Sequence, residues 1–308
     1  MRVLVTGATG FIGRALAQAL LRRGDTVTAL TRDVDSARRA LPRECRVVEW
    51  RPGTPGAWME EAAFVDGIVN LAGASVFGRW TPAFRARIEQ SRVEGTKGLV
   101  DAIRLAGASK ARKAARPRVL VNASATGFYG SSSASELDEE SPQGRDFLAE
   151  VCGRWEAAAE EAEALGTRVV RLRIGIVLGK GGGAVARMLS PLGLFVLGPI
   201  GKGDNEISWV HLDDAVGMCL WALDRDEVTG AVNCTSPYPT TGKALAQSLA
   251  SVLDRRAIGL PRALAAPLFG ELLDVVAGSA RVVPRRAIAG GYEFHHARLM
   301  PALEAAVG

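Results

Sequence analysis

Cysteine, histidine and tyrosine are scarce in this 308-residue chain, at four, three and three residues. Cys45, Cys152, Cys219 and Cys234 are scattered, with no C-x-x-C pair and no histidine cluster beside them. That pattern excludes a disulfide scaffold and offers no metal-ligand spacing, so a reduced, intracellular protein without a metal is expected. Long apolar runs are missing too: none approaches the ~20 residues that span a bilayer. The first strand pattern begins at Arg2, leaving no room for a signal peptide, so a cytoplasmic protein with no membrane partner is the expectation. Charge of one sign is not concentrated either, since 38 Lys and Arg against 33 Asp and Glu leave a thinly spread net +5. The densest basic run, Lys110 to Arg118, has no interleaved aromatics and precedes an apolar strand. It reads as a solvated loop, and no nucleic-acid partner is expected.

Glycine is plentiful, and its placement is informative. Arg2-Val3-Leu4-Val5-Thr6-Gly7-Ala8-Thr9-Gly10-Phe11-Ile12-Gly13 is an apolar strand running into three glycines spaced three apart. Ala15, Leu16, Ala19 and Leu20 follow at helical spacing. In a strand–turn–helix unit the first glycine permits the tight turn, the second admits a pyrophosphate, and the third lets helix and strand pack closely. The helix N-terminus then presents free N–H groups to the anion. Gly7, Thr9, Gly10, Phe11, Ile12 and Gly13 are therefore candidate dinucleotide contacts.

Short β-like runs at Arg2 to Thr6, Thr26 to Thr31, Arg46 to Trp50, Gly67 to Leu71, Val119 to Ala123 and Arg168 to Val177 alternate with helical stretches. The helices are expected at Phe11 to Arg23, Ser36 to Leu41, Pro82 to Ala106 and Phe147 to Leu165. This order specifies an α/β fold, a doubly wound parallel Rossmann sheet with helices on both faces. The expected division is a nucleotide domain over 1–178, completed by about 207–235, and a smaller C-terminal substrate lobe from 179–206 and 236–308. Gly175 to Gly181 superficially resembles a triphosphate loop, but its glycines are too close and no Ser or Thr follows Lys180.

The end of strand 2 discriminates between nicotinamide cofactors, because an acid there accepts ribose hydroxyls whereas an arginine accommodates a 2′-phosphate. The chain reads Thr31-Arg32-Asp33, which favours NADP(H); the alternative is a surface arginine paired with Asp33 or Asp35. Asn70-Leu71-Ala72-Gly73 ends strand 4 with small residues where backbone must pass close to the cofactor. Arg92, in the helix that follows, is a second candidate phosphate partner, and Val177 a further cofactor contact.

These residues resemble the short-chain dehydrogenase/reductase superfamily in its extended, sugar-nucleotide-epimerase-like branch. The likeness is closer to an atypical subfamily labelled only epimerase family proteins. It is carried by Asn70 to Gly73, Arg79-Trp80, Ser91-Arg92, Trp155-Glu156 and Ser208-Trp209-Val210-His211, and by Arg281 to Arg286 and Gly291 to Phe294 in a C-terminal domain of unknown function. The resemblance implies a catalytic serine, met by Ser124, and a tyrosine with a lysine four residues later. Aligning Glu156 with the glutamate typical of that helix puts Leu148 and Cys152 in those two places, so the pair is absent. Tyr129, in the turn past Ser124, is the candidate substitute acid; packing or a substrate contact is its alternative.

His211 reads as structural, with Asp213 or Asp214 expected to cap the next helix. Arg79 and Trp80, and the loops at 198–204 and Pro237-Tyr238-Pro239, are expected at the substrate mouth. The combined expectation is an NADP(H)-binding oxidoreductase, monomeric or homodimeric, acting on a small-molecule carbonyl or alcohol. A sugar-nucleotide epimerase or dehydratase, and a non-catalytic NADP(H) sensor or interaction protein, are the alternatives.

Overall fold

Val3, Leu4 and Val5 are all buried, the mark of a strand covered on both faces, and their side chains alternate between two separate apolar layers. The first six strands are β1 (Arg2–Thr6), β2 (Thr26–Thr31), β3 (Arg46–Glu49), β4 (Gly67–Asn70), β5 (Val119–Ala125) and β6 (Arg168–Ile174), of which the edge strand β3 has no fully buried residue. The remaining strands are β7 (Ile176–Leu178), β8 (Glu206–Ile207), β9 (Trp209–His211), β10 (Gly230–Cys234) and β11 (Thr240–Thr241). The helices are α1 (Phe11–Arg22), α2 (Val34–Ala40), α3 (Pro82–Ala108), α4 (Phe147–Glu160), α5 (Leu212–Asp224), α6 (Gly242–Val252), α7 (Arg285–Ala289) and α8 (Leu299–Val307). The computed structural model describes residues 1–108, 117–132, 136–183, 186, 201–257, 259, 261, 263 and 278–308.

Seven strands form one parallel sheet in the order β10-β6-β5-β4-β1-β2-β3. The chain starts in the middle, winds outward to β3, then returns past β1 to β4, so a crevice opens at the C-terminal ends of β1 and β4. Val3, Val5, Val27, Ala29 and Val121 pack against α1 and α5 on one face. Leu4, Leu30, Ile68, Leu120 and Val169 pack against α3, α4 and the segment Ala57–Phe64 on the other. A third apolar cluster joins Leu178, Trp209, Leu245, Leu249, Ala302, Leu303 and Ala306 from β7, β9, α6 and α8. Among the described residues no helix is long and apolar enough to cross a membrane.

Two expectations about elements change. The run Arg168 to Val177 is divided at Gly175, where a Cβ would lie 2.7 Å from the Ser208 carbonyl oxygen; the chain leaves the main sheet there and β7 pairs with β9. The helix expected to reach Leu165 stops at Glu160, and a single 3₁₀ turn leads to Gly166 in the left-handed region (φ 79°). Residues 110–116 of the basic run, 133–135 of the serine-rich loop and 198–200 of the expected mouth loop lie outside the described residues.

Polar side chains brace the crest of the sheet from below. Asn70, 1% exposed, accepts the Thr6 hydroxyl at 2.6 Å and donates to Thr96 Oγ1 at 2.8 Å and Asn122 Oδ1 at 2.6 Å. Trp155 Nε1 also donates to Thr96 Oγ1 at 2.9 Å, and Thr6 Oγ1 accepts the Ala72 N–H at 3.2 Å. The turn after β4 is thereby tied to β1, β5, α3 and α4. Asn70→Ala leaves the Thr6 and Asn122 groups without their partner, so a loss of about 1–3 kcal/mol in urea unfolding is expected.

Candidate functional site

At the first turn, Gly7 has φ 66°, and a Cβ on it would lie 2.6 Å from the Leu71 carbonyl oxygen. A Cβ on Gly13 would lie 2.2 Å from the Gly7 carbonyl oxygen, so α1 can cross the strand end only without a side chain there. Gly10 differs: it is exposed, and the nearest atom to a Cβ on it is Gly7 O at 3.1 Å, which leaves its outer side open. No side chain caps α1 and no acid occupies its first turn, whereas Asp33, Asp146 and Thr241 cap α2, α4 and α6. The N–H groups of α1 thus remain available, and the backbone fits a dinucleotide pyrophosphate.

Around this turn, Thr9 is exposed and Ile12 packs partly into the core. Phe11 supports the loop after β7, since Cβ atoms at Gly182 and Gly183 would fall 2.3 and 2.6 Å from its ring. Val177 lies nearby in β7, opposite Val210, and its carbonyl oxygen would be 2.6 Å from a Cβ on Gly183. Thr31 Oγ1 accepts the Asp33 N–H at 3.3 Å. Arg32 is exposed; Asp33 accepts the Ser36 N–H at 2.9 Å and Asp35 pairs with Arg38, so neither neighbouring acid takes the Arg32 guanidinium.

Leu71, Ala72 and Gly73 line the turn after β4. Below Gly73 lies Arg92, whose Cζ would be 3.1 Å from a Cβ there. Arg92 Nη1 donates to the Ala74 and Ile88 carbonyls, each at 3.0 Å, and its guanidinium lies 5.2 Å from the Trp155 ring centroid. Trp80 stacks edge-on against Phe147 at 5.4 Å, while Arg79 is exposed.

The two candidate catalytic hydroxyls belong to one buried network. Ser124, 3% exposed, donates to Glu156 Oε1 at 2.6 Å. Arg173 meets both oxygens of Glu156 at 2.9 Å and also donates to the Tyr129 hydroxyl at 2.9 Å. Tyr129, also 3% exposed, donates in turn to Asn233 Oδ1 at 2.6 Å, and Asn233 N donates to Glu139 at 3.0 Å. Burial pushes the Tyr129 hydroxyl up to about 12 against the smaller opposing effect of Arg173. Burial and then the charge of Glu156 push the Cys152 thiol up to about 11. Leu148 and Cys152 do face the turn past Ser124, because a Cβ on Gly127 would lie 3.6 Å from Leu148 Cβ and 3.9 Å from Cys152 Sγ.

Tyr129, by sequence a candidate acid with packing or a substrate contact as the alternative, has its hydroxyl enclosed, with both hydrogen-bonding directions in use. Glu156, Arg173 and Asn233 carry no chemical role in the sequence reading, and Glu139, which reads there as part of a solvated acidic loop, is instead buried and accepts the Asn233 and Arg286 N–H groups. Their signals were a family signature, Trp155-Glu156, read without chemistry, and Arg171 and Arg173 alternating along an apolar strand.

The helix cap at α5 is a correction: His211 Nδ1 itself accepts the Asp213 N–H at 3.2 Å. Asp214 turns inward and holds the His295 and His296 N–H groups at 2.8 and 2.9 Å. His211 and His296 stack at 3.9 Å, with Asp213 Oδ2 3.3 Å from His296 Nε2. Residues 85 apart in sequence thus form the histidine cluster that spacing did not reveal, and burial, then His296, lowers the His211 pKa.

A model of the NAD dependent epimerase/dehydratase family matches residues 3–234, and one described as a domain of unknown function (DUF1731) matches residues 260–306. The chain is 38% identical over 316 residues to human epimerase family protein SDR39U1, covering 99% of each. It is 32% identical over 306 residues to epimerase family protein YfhF of Bacillus subtilis, covering 98% of this chain and 97% of that protein. The crystal structure of the human protein (isoform 2) with NADPH has a TM-score of 0.82 at 35% identity, with 99% of both chains covered. UDP-glucuronic acid 4-epimerase from Bacillus cereus, in complex with UDP-glucuronic acid and NAD, shares the fold with a TM-score of 0.79 at 18% identity, over 99% of this chain and 98% of that one.

The enclosed tyrosine has a pH signature. Its folded pKa of about 12 lies above the ordinary tyrosine value of 10.0, so its contribution is complete below pH 10 and is lost as pH rises through 12. The stability advantage of wild type over Tyr129→Phe should therefore shrink by about 2–3 kcal/mol across that range in denaturant titrations. A constant difference refutes the enclosed-hydroxyl assignment.

Proposed function

Because the chain belongs to the NAD-dependent epimerase/dehydratase family, we propose that it binds NADP(H) and acts as an oxidoreductase on a small-molecule carbonyl or alcohol. One observation carries the cofactor half of this reading: α1 is left uncapped behind Gly7, Gly10 and Gly13, while Arg32, at the end of β2, has no acid taking its guanidinium. The amides of α1 would hold the pyrophosphate, and the planar fork of Arg32 would hold the 2′-phosphate bidentately. Thr31 would flank the ribose, Leu71, Ala72 and Gly73 would pass beneath the cofactor, and Phe11 and Val177 would border its nicotinamide side. When bound, the cofactor supplies or accepts a hydride at a substrate carbon.

Ser124 is the group of this chain best placed to meet a substrate oxygen. Its proton is directed at Glu156, so its lone pairs are what remain to receive a substrate hydroxyl. Cys152, neutral at physiological pH, stands beside it where the resemblance expects a cationic lysine. Leu148 and Cys152 replace the groups that an epimerase would use, which weighs against that alternative.

A second reading is favoured by a specific observation: both candidate hydroxyls are hydrogen-bonded inside the protein. A non-catalytic NADP(H) sensor would need neither. It expects NADPH to bind yet stay unoxidised across a broad aldehyde and ketone panel, whereas oxidation with any member removes it.

Calorimetric titration tests the cofactor. Wild type should prefer NADPH over NADH by about 10- to 100-fold, the worth of one charge-assisted bidentate contact. Arg32→Ala should abolish that preference without weakening NADH; equal affinities in wild type refute the assignment.

A further inference from the structure

Two imidazoles and a carboxylate meet where β9 enters α5. His211 is the last residue of β9 and the cap of α5, Asp213 lies in the first turn of that helix, and His296 comes from the segment between α7 and α8. One donor atom from each lies within 4.8 Å of those of the other two. Asp213 Oδ2 is the common neighbour, 3.5 Å from His211 Nδ1 and 3.3 Å from His296 Nε2. The donors around a tetrahedral Zn²⁺ lie roughly 3.4 Å apart, for bonds of about 2.0–2.2 Å. The two spacings centred on Asp213 are thus those of neighbouring ligands in one coordination sphere.

The bonding of His211 suits such a sphere. Its Nδ1 accepts the Asp213 N–H, so this nitrogen is the unprotonated one and its lone pair faces Asp213. That amide contact, at 3.2 Å, is long, and it is the one bond an ion would displace. His211 is 4% exposed and its Nε2 has no partner among the described residues, so the ring is under-satisfied for so enclosed a position. The His296 ring lies against it, with centroids 3.9 Å apart, and brings its own Nε2 to the same carboxylate. Charge favours a cation as well. Asp213 and Asp214 both act on His211, and among the described residues neither has a Lys or Arg partner. Two carboxylates therefore stand ready to balance a dication and to offset the positive end of α5. The Asp213 side chain is 64% exposed and that of His296 21%, which leaves a way in from solvent.

We infer that His211, Asp213 and His296 bind one divalent transition-metal ion, with water left to complete its sphere. Two imidazoles and one carboxylate suit Zn²⁺ and disfavour Mg²⁺ and Ca²⁺, which take oxygen ligands. The ion would tie the end of β9 and the start of α5 to the C-terminal region, beside the Asp214 carboxylate that already receives the His295 and His296 amides. Its effect is on how firmly that region is docked, and it is independent of the NADP(H) reading. The expectation of a chain without a metal rested on spacing along the sequence, which does not bring residues 211 and 296 together.

Zn²⁺ is titrated calorimetrically into the chelator-stripped full chain, and thermal unfolding is followed with and without the ion. Wild type should bind one Zn²⁺ and unfold at a higher temperature when loaded. Asp213→Asn and His296→Gln should each weaken binding by at least about 10-fold, the loss seen even for groups that only orient a ligand, and should lose the rise in midpoint. His295→Gln, an exposed neighbour outside the cluster, should bind as wild type does. Midpoints of the stripped proteins show whether a variant is damaged without the ion. If His296→Gln is, Asp213→Asn carries the test, because that side chain is exposed and its backbone amide still caps His211. Absence of Zn²⁺ binding to wild type, or binding unchanged in the folded variants, overturns the inference. An equal loss in His295→Gln does so too, since the ion would then be held at the surface rather than by this cluster.

Discussion

The buried ion pair between Glu156 and Arg173 is the contact on which the C-terminal half of the sheet depends. It joins α4 to β6, and from its two ends hydrogen bonds run to Ser124 at the end of β5, to Tyr129 in the following turn, and through Asn233 to β10. Each charge is buried, Glu156 at 2% and Arg173 at 4% exposure, so neither tolerates loss of the other. The Phe128 ring lies against the guanidinium at 3.5 Å and completes its enclosure. Burial alone would lower the Arg173 pKa, but Glu156 outweighs it and the net shift is upward.

That pair also divides the site into two kinds of surface. On the side of β1 and β2, no side chain caps the α1 amides and no neighbouring acid pairs with the exposed Arg32 guanidinium. On the side of β5 and β6, the polar groups are consumed internally, and even the candidate serine directs its proton into the protein. In the proposed reading, preset backbone would hold the cofactor, and a substrate oxygen would have to compete with Glu156 for Ser124.

What was legible in the sequence was local. The bounds of β1 and β2 matched their apolar runs, and the glycine triplet fell at the strand-to-helix turn because spacing alone specifies which residues must lack a Cβ. Boundaries failed where a tertiary contact decided them: Gly175 is flanked by Ile174 and Ile176 in one β-like run, and the approach of Ser208 marks where the strand ends. The role of Glu156 was hidden for a related reason. Glu156 reads in sequence only as part of the Trp155-Glu156 signature, and its partner Arg173 arrives from a different element. His211 and His296 met through the Asp214 carboxylate, a contact that no spacing rule describes.

The segment 279–286 crosses the interior rather than resting on it. Leu137 pairs with Val282 in an isolated bridge, Ser208 Oγ donates to the Ala280 carbonyl and accepts the Val282 N–H, and Asn233 Nδ2 donates to the Val283 carbonyl. Glu139 receives the first amide past Arg285. The two regions that match separate family models therefore share one polar interior, and the boundary between them is one of inheritance, not of mechanics. A chimera that exchanged the C-terminal region between relatives would have to carry Glu139, Ser208 and Asn233 with it, so these positions and the segment they receive are expected to have evolved as a unit.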